Sequence, residues 1–332
     1  MSSAPSRPAA AAWVTPLRSW AGSDFFVLVL SAVYFLILTP LAPGFASTGN
    51  ALSLITSLLP LLLLAVGQTW VLVSGGIDLS VTATIALTSV LGGLAVNEVS
   101  GWLGSGPFAI PGAILLMLAA GAGVGFLNGL AIARLRMPPF MVTLTSLMFF
   151  SGVAVWLTQS QPIGSLPPTF TAFGGRLGWA LPVAALLTWV AHLGLSRTVL
   201  GRWLYAVGQN ARTAEVSGVP VRTVTVCAYV VSGLLAAVAS LFLTGQAETA
   251  SPVLGQRMLL DVIAATVIGG VSLYGGQGRI LGVLFGVLFI RLIDNSLNLL
   301  GLNFTLILMT KGAVILLAAW LDGWRRQLAR MA

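Results

Sequence analysis

A short polar stretch, residues 74–80, interrupts a long apolar run and places a carboxylate between hydroxyl groups. Gly75 and Gly76 allow a sharp bend there, and an Asp or Ser side chain can cap a helix by accepting hydrogen bonds from its free backbone N–H groups. The stretch therefore predicts a broken helix, with Asp78 or Ser80 capping the helix that follows. Three other roles stay open for Asp78, namely contact with a polar substrate, gating of a pathway and a role in folding.

A second glycine-rich stretch, residues 269–279, has five glycines in eleven positions. This density predicts a break that begins at Gly269 and Gly270, at one end of an apolar run. Close packing of small residues between membrane helices is the alternative interpretation. Both stretches are candidate parts of a pathway or gate for a polar molecule.

Several other polar residues lie within apolar runs, where a central charge costs roughly 2.5–3.5 kcal/mol on insertion scales. Arg291 and Asp294 are three residues apart, on one face of a helix, which favours an internal ion pair over a transport role. Lys311 is the only lysine of the chain and needs a polar cavity or a carboxylate partner. The embedded polar residues are Asp261, Arg291, Asp294, Asn295, Asn298 and Lys311.

The residues needed for common catalytic sites are missing. One histidine and one cysteine, Cys227, exclude a disulfide within the chain and a histidine-based metal site. The single lysine is followed by Gly312, so no phosphate-binding loop of the Gly-x-x-x-x-Gly-Lys-Ser/Thr type is present. We expect no enzyme activity, no metal and no cofactor on this chain, and any ATP must be bound by another polypeptide.

The composition indicates a membrane protein. Of the 332 residues 57% are hydrophobic and only 7% are charged, against about 25% charged in a typical soluble domain. The mean hydropathy is +0.99. So few charges cannot cover a soluble surface, which excludes a disordered chain and a nucleic-acid-binding protein and makes membrane lipid the main solvent.

Apolar runs of about 17 to 25 residues predict ten membrane-spanning helices and an all-α polytopic fold. Three of them, residues 81–96, 179–195 and 258–275, are short or relatively polar. The domain organisation is one transmembrane domain, residues 25–322, between a tail of residues 1–24 and a tail of residues 323–332. The predicted spans are residues 25–42, 51–73, 81–96, 108–133, 140–158, 179–195, 223–244, 258–275, 280–299 and 302–321.

The distribution of arginine predicts the orientation of these spans. If the N-terminus is cytoplasmic, 12 arginines fall inside and only Arg176 and Arg257 fall outside, as the positive-inside rule requires. Both termini are therefore predicted to be cytoplasmic. The longest inside loop, residues 196–222, carries four Arg and one Glu.

An inverted internal repeat of spans 2–5 and 7–10 is a further hypothesis, since many transporters contain inverted halves. At an offset of 170 residues, Gly75 falls on Gly245, Asp78 on Glu248 and Asn128 on Asn298. The matches are few, so a repeat and a chance alignment are about equally supported. Glu248 and Asn128 join the candidate pathway residues on this ground.

Ordered motifs along residues 45–322 resemble the permease subunits of bacterial ATP-binding-cassette (ABC) importers for ribose, xylose and arabinose. The most specific motif runs from Gly67-Gln68-Thr69 to the stretch at 74–81. The others are Asn128-Gly129, residues 138–144, residues 205–210, Ala214 with Ser217-Gly218, residues 261–265, residues 268–276 and residues 298–301.

The resemblance implies a permease of about ten spans that works with cytoplasmic ATPase subunits holding ATP and Mg²⁺. It also implies a periplasmic sugar-binding protein and a second permease copy or a sister permease in the bacterial inner membrane. In similar permeases a short coupling helix docks on the ATPase. That helix maps onto Asn210, Ala211, Arg212, Ala214, Glu215, Ser217 and Gly218, with a solvated basic loop as the alternative.

The leading function is therefore the permease subunit of a monosaccharide or polyol importer. A secondary transporter, with Asp78, Glu248 or Asp261 binding the coupling ion, is the main alternative from another class. Within the same superfamily, a branched-chain amino-acid permease is a second alternative. Asp261, Asn298, Gly269 and Gly270 complete the predicted pathway or gate.

Overall fold

The computed structural model describes residues 25–104, 106–303, 305–314 and 316–317. Within these residues every regular element is helical, apart from an isolated bridge between Ile163 and Ala250. The helices are α1 (Phe25–Leu38), α2 (Thr48–Val73), α3 (Val81–Val96), α4 (Ala109–Leu135), α5 (Pro139–Thr158), α6 (Pro168–Gly175), α7 (Leu177–Arg197), α8 (Val199–Gln209), α9 (Ala211–Val216), α10 (Val221–Ala247), α11 (Leu259–Ile268), α12 (Ile280–Leu299) and α13 (Thr305–Val314), with a 3₁₀ turn at Gln256–Met258.

Six of these helices, α2, α4, α5, α7, α10 and α12, are long and apolar enough to cross a membrane. Shorter helices α1, α3, α11 and α13 lie at the other four predicted positions. The prediction of an all-α polytopic membrane protein is confirmed, and the relatively polar run at 179–195 forms the full-length helix α7. The predicted tails at 1–24 and 323–332 lie outside the described residues.

The predicted span at 258–275 is wrong in its extent, because α11 has only ten residues and ends at Ile268. Gly270 has a left-handed φ of +85°, and the N–H of Val271 bonds the carbonyl of Thr266. This is the usual geometry of a glycine-terminated helix. The predicted break at Gly269 and Gly270 is therefore present, and it leaves a half-length helix rather than a complete span.

Helices α2 and α10 form the centre of the molecule. The second half of α2, from Leu59 to Val73, is buried on every side, and α10 packs against α2, α3, α4 and α6. A helix that is apolar all round is expected in the interior of a membrane protein. These two helices are the frame against which the broken segments are held.

Glycines at every fourth position bring α4 close to α10. A Cβ at Gly121 would lie 2.4 Å from the Gly233 carbonyl oxygen, and one at Gly125 would lie 2.2 Å from the Tyr229 carbonyl oxygen. Gly129 continues the series, and such small-residue stripes allow membrane helices to approach closely. The close approach fixes the position of α4 against α10.

The segment at 196–222, predicted as a loop, is largely helical. Its first part is α8, which buries Leu204 and Val207 on one face, and its second part is the short helix α9. The apolar residues recur three apart, so α8 lies against the body of the protein and does not extend into solvent. The segment at 196–222 is thus a packed helical unit.

Candidate functional site

The first break, between α2 and α3, is built around two glycines. Gly75 has a φ of +84°, and the N–H of Gly76 bonds the carbonyl of Val71, which ends α2. A Cβ at Gly76 would lie 2.4 Å from the Tyr229 hydroxyl oxygen. That hydroxyl donates a hydrogen bond to the Ile77 carbonyl at 3.2 Å. The predicted broken helix is confirmed, and glycine is required because Tyr229 of α10 packs directly on it.

Asp78 is 2% exposed and accepts hydrogen bonds on both carboxylate oxygens. Oδ1 accepts from the Ser80 backbone N–H at 2.9 Å and from the Ser80 hydroxyl at 2.6 Å. Oδ2 accepts from the Ser232 hydroxyl of α10 at 2.8 Å. No ion pair with a basic side chain forms at Asp78 within the described part of the chain. Asp78 therefore ties the break to α10.

The predicted helix cap needs correction. Ser80 is the N-cap residue of α3, but its side chain accepts no capping bond from the helix. Asp78 binds the N–H of Ser80 itself and no N–H from the first turn of α3, because the backbone enters α3 already in a helical conformation at Ser80. The Asp78 carboxylate therefore holds the loop before α3 in place, but it does not cap the helix.

Asn128 extends the network to two further helices. Its amide donates to the Ser80 hydroxyl at 2.8 Å, and its carbonyl oxygen accepts from the Ser146 hydroxyl of α5. Thr143 of α5 also donates to the Ile77 carbonyl, at 3.2 Å. Helices α4, α5 and α10 thus hold the break by polar contacts. Because satisfied buried networks specify one arrangement, these contacts define the conformation of the loop between α2 and α3.

A glycine junction, formed by Gly75, Gly208, Gly275 and Gly276, joins α8 to both breaks. A Cβ at Gly208 would lie 1.9 Å from the Val73 carbonyl oxygen and 2.5 Å from the Gly276 backbone nitrogen. The same Val73 carbonyl accepts a hydrogen bond from the Gly276 N–H at 2.9 Å. A Cβ at Gly275 would lie 2.8 Å from the Gly75 Cα. Three segments of backbone meet here without side chains between them.

A tyrosine fastens α8 to the second break. The Tyr205 hydroxyl donates to the Gly278 carbonyl at 2.6 Å. Burial raises the pKa of Tyr205, although the positive charge of Arg279 acts in the opposite direction. The hydroxyl therefore keeps its proton at neutral pH and stays a donor. With Gly208 it gives α8 two separate attachments to residues 275–278.

The predicted coupling helix is the six-residue α9. Asn210 caps it by accepting the Thr213 N–H at 3.0 Å, and Gly218, with a φ of +83°, ends it. Ala214 is buried, whereas the side chains facing out include Arg212, Glu215 and Val216. Ala211, Ser217 and Gly218 are exposed as well. This is a capped, compact helix whose outer face is available to a partner.

Four charged residues from three helices form a second cluster, here called the charge quartet: Asp261, Arg291, Asp294 and Lys311. Lys311 Nζ lies 3.1 Å from both oxygens of Asp261 and 2.5 Å from Oδ1 of Asp294. Arg291 Nη1 lies 3.3 Å from Oδ2 of Asp294. The predicted pairing of Arg291 with Asp294 is confirmed, and the partners that Lys311 needs are Asp261 and Asp294.

A cavity of about 910 Å³ lies beside the charge quartet. It is lined by residues from α2, the 3₁₀ turn, α11, α12 and α13, including Ser53, Ser57 and Asn298. Asn295 of the same lining exchanges two hydrogen bonds with Asn50, at 2.7 and 2.8 Å. Asp261 and Asn298 of the predicted pathway therefore line the same cavity.

The remaining predicted residues lie elsewhere. Glu248 is exposed and lines a separate cavity of about 510 Å³ together with Arg176. Gly269 packs on α12, where a Cβ would lie 2.6 Å from the Val283 Cα, whereas Gly270 faces open space. The predicted site residues therefore lie in four places. These are the first break, the cavity beside the charge quartet, the second break and the exposed position of Glu248.

Ser232, Tyr229, Ser146 and Gly208 were absent from the predicted site. The two α10 residues lie more than 150 positions from the break they contact, so no local pattern marks them. The four-residue spacing of glycine in α4 is the one signal visible in the sequence, since it marks α4 as a close-packed helix. That signal indicates where α10 lies but not which of its side chains reach Asp78.

Comparison with known proteins identifies the family. A family described as the permease component of branched-chain amino acid transport systems matches residues 50–319. The chain belongs to this permease family. It is a permease component of an ABC transporter, and such components are not themselves enzymes. No solved structure matches the permease at a significant level.

Curated relatives align over most of the permease. The ribose import permease protein RbsC of Bacillus subtilis is 40% identical over 306 residues, covering 90% of each chain. The fructose import permease protein FrcC of Rhizobium meliloti is 31% identical and covers 93% of this chain and 87% of its own. The inner membrane ABC transporter permease protein YjfF of Escherichia coli is 35% identical over 78% of each.

Proposed function

We propose that this permease moves a monosaccharide or a similar small polyol into the cell, driven by ATP hydrolysis on a separate subunit. The observation that carries the proposal is the alignment, over about nine-tenths of the chain, with permeases named for ribose and fructose import. The family match over residues 50–319 includes both breaks and α9.

The structure supports a route for coupling. A cytoplasmic ATPase with its own ATP and Mg²⁺ would contact the exposed face of α9, while α8 carries the displacement to the glycine junction. Because the junction joins both breaks, one movement of α8 would shift the loops before α3 and before α12 together. A periplasmic sugar-binding protein and a second permease copy, or a sister permease, complete the proposed assembly.

A branched-chain amino-acid permease is the second candidate, since the family description names that substrate class. The curated relatives quoted above favour a sugar, because two of the three are named for sugar import. The two candidates share the fold and the coupling segment. They differ in the ligand that must fit the pathway, so only substrate uptake separates them.

Ion-coupled secondary transport has less support from the site. Asp78 accepts hydrogen bonds from hydroxyl and backbone donors in a buried network, and Asp261 is paired with Lys311. A carboxylate that binds a coupling cation needs an oxygen that is not already paired within the protein. Among the three carboxylates proposed for that role, only Glu248 is exposed.

Deletion of the gene for this permease provides the test in cells. Uptake of the labelled monosaccharide that its binding protein carries should be lost and should return when the full chain is supplied again. Uptake of leucine should be unchanged in the deleted strain. Loss of leucine uptake with intact sugar uptake would contradict the sugar proposal and support a branched-chain amino-acid permease instead.

The orientation gives a separate prediction. The distribution of arginine predicts that the permease lies in the inner membrane with both termini in the cytoplasm. In a Cys227→Ser background, a membrane-impermeant maleimide applied from outside should label Ser165→Cys but not Arg212→Cys. Both positions are exposed, so accessibility on the protein surface is matched. Labelling of residue 212 from outside in intact cells would overturn the orientation.

A further inference from the structure

The connection between α4 and α5 carries two arginines without an acidic partner. Arg134 lies in the last turn of α4, and Arg136 ends that helix with a left-handed φ of +56°. Both residues are exposed, and neither forms an ion pair or a side-chain hydrogen bond within the described part of the chain. Residues 130–141 contain no Asp or Glu. The connection therefore presents two positive charges that its own neighbours do not neutralise.

A third arginine reaches the same end of the molecule from α10. A Cβ at Gly129 of α4 would lie 2.7 Å from the Val226 Cα, within two turns of the end of α4 and of the start of α10. Arg222 is the second residue of α10, is exposed, and has no ion pair among the described residues. Arg134, Arg136 and Arg222 are here called the arginine surface.

Exposed apolar side chains lie between and beside these charges. Leu135, Met137, Phe140 and Met141 are all exposed, and they alternate with or directly follow the two arginines of the connection. Arginine can lay its aliphatic stem along apolar surface while its guanidinium group stays in a polar layer. A mixture of basic and apolar side chains at a helix end suits the boundary between lipid chains and headgroups.

The helix that follows the connection lies at the edge of the protein. It packs on α3 and α4, and its other side exposes large apolar residues along its length, among them Met148, Phe149 and Trp156. Since α5 is long and apolar enough to cross a membrane, this side is suited to lipid. The connection at its start then lies at the level of the lipid headgroups.

We propose that the arginine surface binds the headgroups of anionic phospholipids in the leaflet that faces the cytoplasm. Guanidinium groups form short, charge-assisted hydrogen bonds with phosphate oxygens, and the predicted orientation places this connection on the cytoplasmic side. That leaflet attracts basic segments near the membrane. Thr143 of α5 donates to the Ile77 carbonyl of the first break, so a lipid bound here would anchor a helix that holds the break.

Quenching of a fluorophore by labelled lipid tests the surface. Met137→Cys in the Cys227→Ser background carries the fluorophore, and the full transporter with its ATPase is placed in nanodiscs with equal amounts of phosphatidylcholine and phosphatidylglycerol. One of the two lipids carries a nitroxide. Quenching should be stronger when the nitroxide is on phosphatidylglycerol. In Arg134→Gln the association constant for phosphatidylglycerol relative to phosphatidylcholine should fall about fivefold, as expected for one arginine near an anionic surface.

Arg197→Gln is the matched control, because Arg197 is also an exposed arginine in the last turn of a membrane helix, α7, which packs on α2. Its lipid preference should equal that of the unmodified transporter. Equal quenching by both lipids, an unchanged preference in Arg134→Gln, or an equal loss in the control would overturn the proposal.

Quenching that is weak with both lipids and rises when the ATPase is omitted would assign the surface to the ATPase instead. If Arg134→Gln does not reach the membrane, Arg136→Gln is the second variant, with the same expected decrease. The lipid preference is measured without substrate, so its failure would leave the proposed sugar function unchanged. Loss of sugar uptake with an intact lipid preference would bear on the sugar function alone.

Discussion

Gly208→Ala is expected to reduce coupled transport strongly while leaving the permease in the membrane. The added methyl group would lie 1.9 Å from the Val73 carbonyl oxygen, and both neighbours at this point are backbone, which cannot rotate away. Overpacking of this kind costs typically about 1–3 kcal/mol. The least costly response is displacement of α8 from the junction, which breaks the contact between the coupling segment and both helix breaks.

A coupling energy of about 1–3 kcal/mol corresponds to between about fivefold and 150-fold in an equilibrium. We therefore expect binding-protein-stimulated ATP hydrolysis and sugar uptake in a reconstituted complex to decrease by a factor between about 5 and about 150. Gly152→Ala is the matched control, because a Cβ at Gly152 of α5 meets open space. Its transport should equal that of the unmodified permease. Full stimulation in the Gly208 variant would show that α8 does not transmit the displacement.

Two substitutions of Asp78, by Ala and by Asn, should differ sharply in their effect on transport. Asp78→Ala removes the acceptor of the Ser80 N–H, the Ser80 hydroxyl and the Ser232 hydroxyl, all buried. Each donor left unsatisfied costs about 1–3 kcal/mol, so we expect low membrane abundance or transport reduced by more than about tenfold. Asp78→Asn keeps an acceptor toward Ser80, and its amide can donate to the Ser232 hydroxyl oxygen.

The asparagine variant should therefore transport close to the unmodified rate. A carboxylate that acts through its negative charge would fail with both substitutions, so the pair of variants discriminates a structural role from ion binding. Transport should be measured at equal membrane abundance of each variant. Inactivity of Asp78→Asn under that condition would indicate that the charge itself is required.

The positions of the two helix breaks could be predicted from the sequence because glycine acts locally. Gly75 and Gly270 both adopt a left-handed φ, and the residues that surround them determine where the preceding helix ends. The six-residue helix α9 was likewise predictable, since Asn210 and Gly218 mark its two ends. These features depend on a few neighbouring residues.

The contacts that join distant helices could not be predicted in the same way. The sequence indicates that Lys311 needs an acid, but Asp261 is 50 residues away and becomes its partner only through the packing of α11 against α13. Ser232 reaches Asp78 only because glycines of α4 and the bend at Gly76 leave room for α10. The inverted repeat of spans 2–5 and 7–10 stays a prediction, because the few matches at that offset do not by themselves establish related halves.

The central proposal, ATP-driven import of a monosaccharide through this permease, is tested most directly in proteoliposomes. The full chain is reconstituted with its ATPase, and labelled sugar is offered on the binding protein while ion gradients are collapsed. We predict sugar accumulation that requires ATP and that continues when a protonophore is present. Sugar uptake that proceeds without ATP and follows a proton or sodium gradient, or uptake of leucine alone, would contradict the proposal.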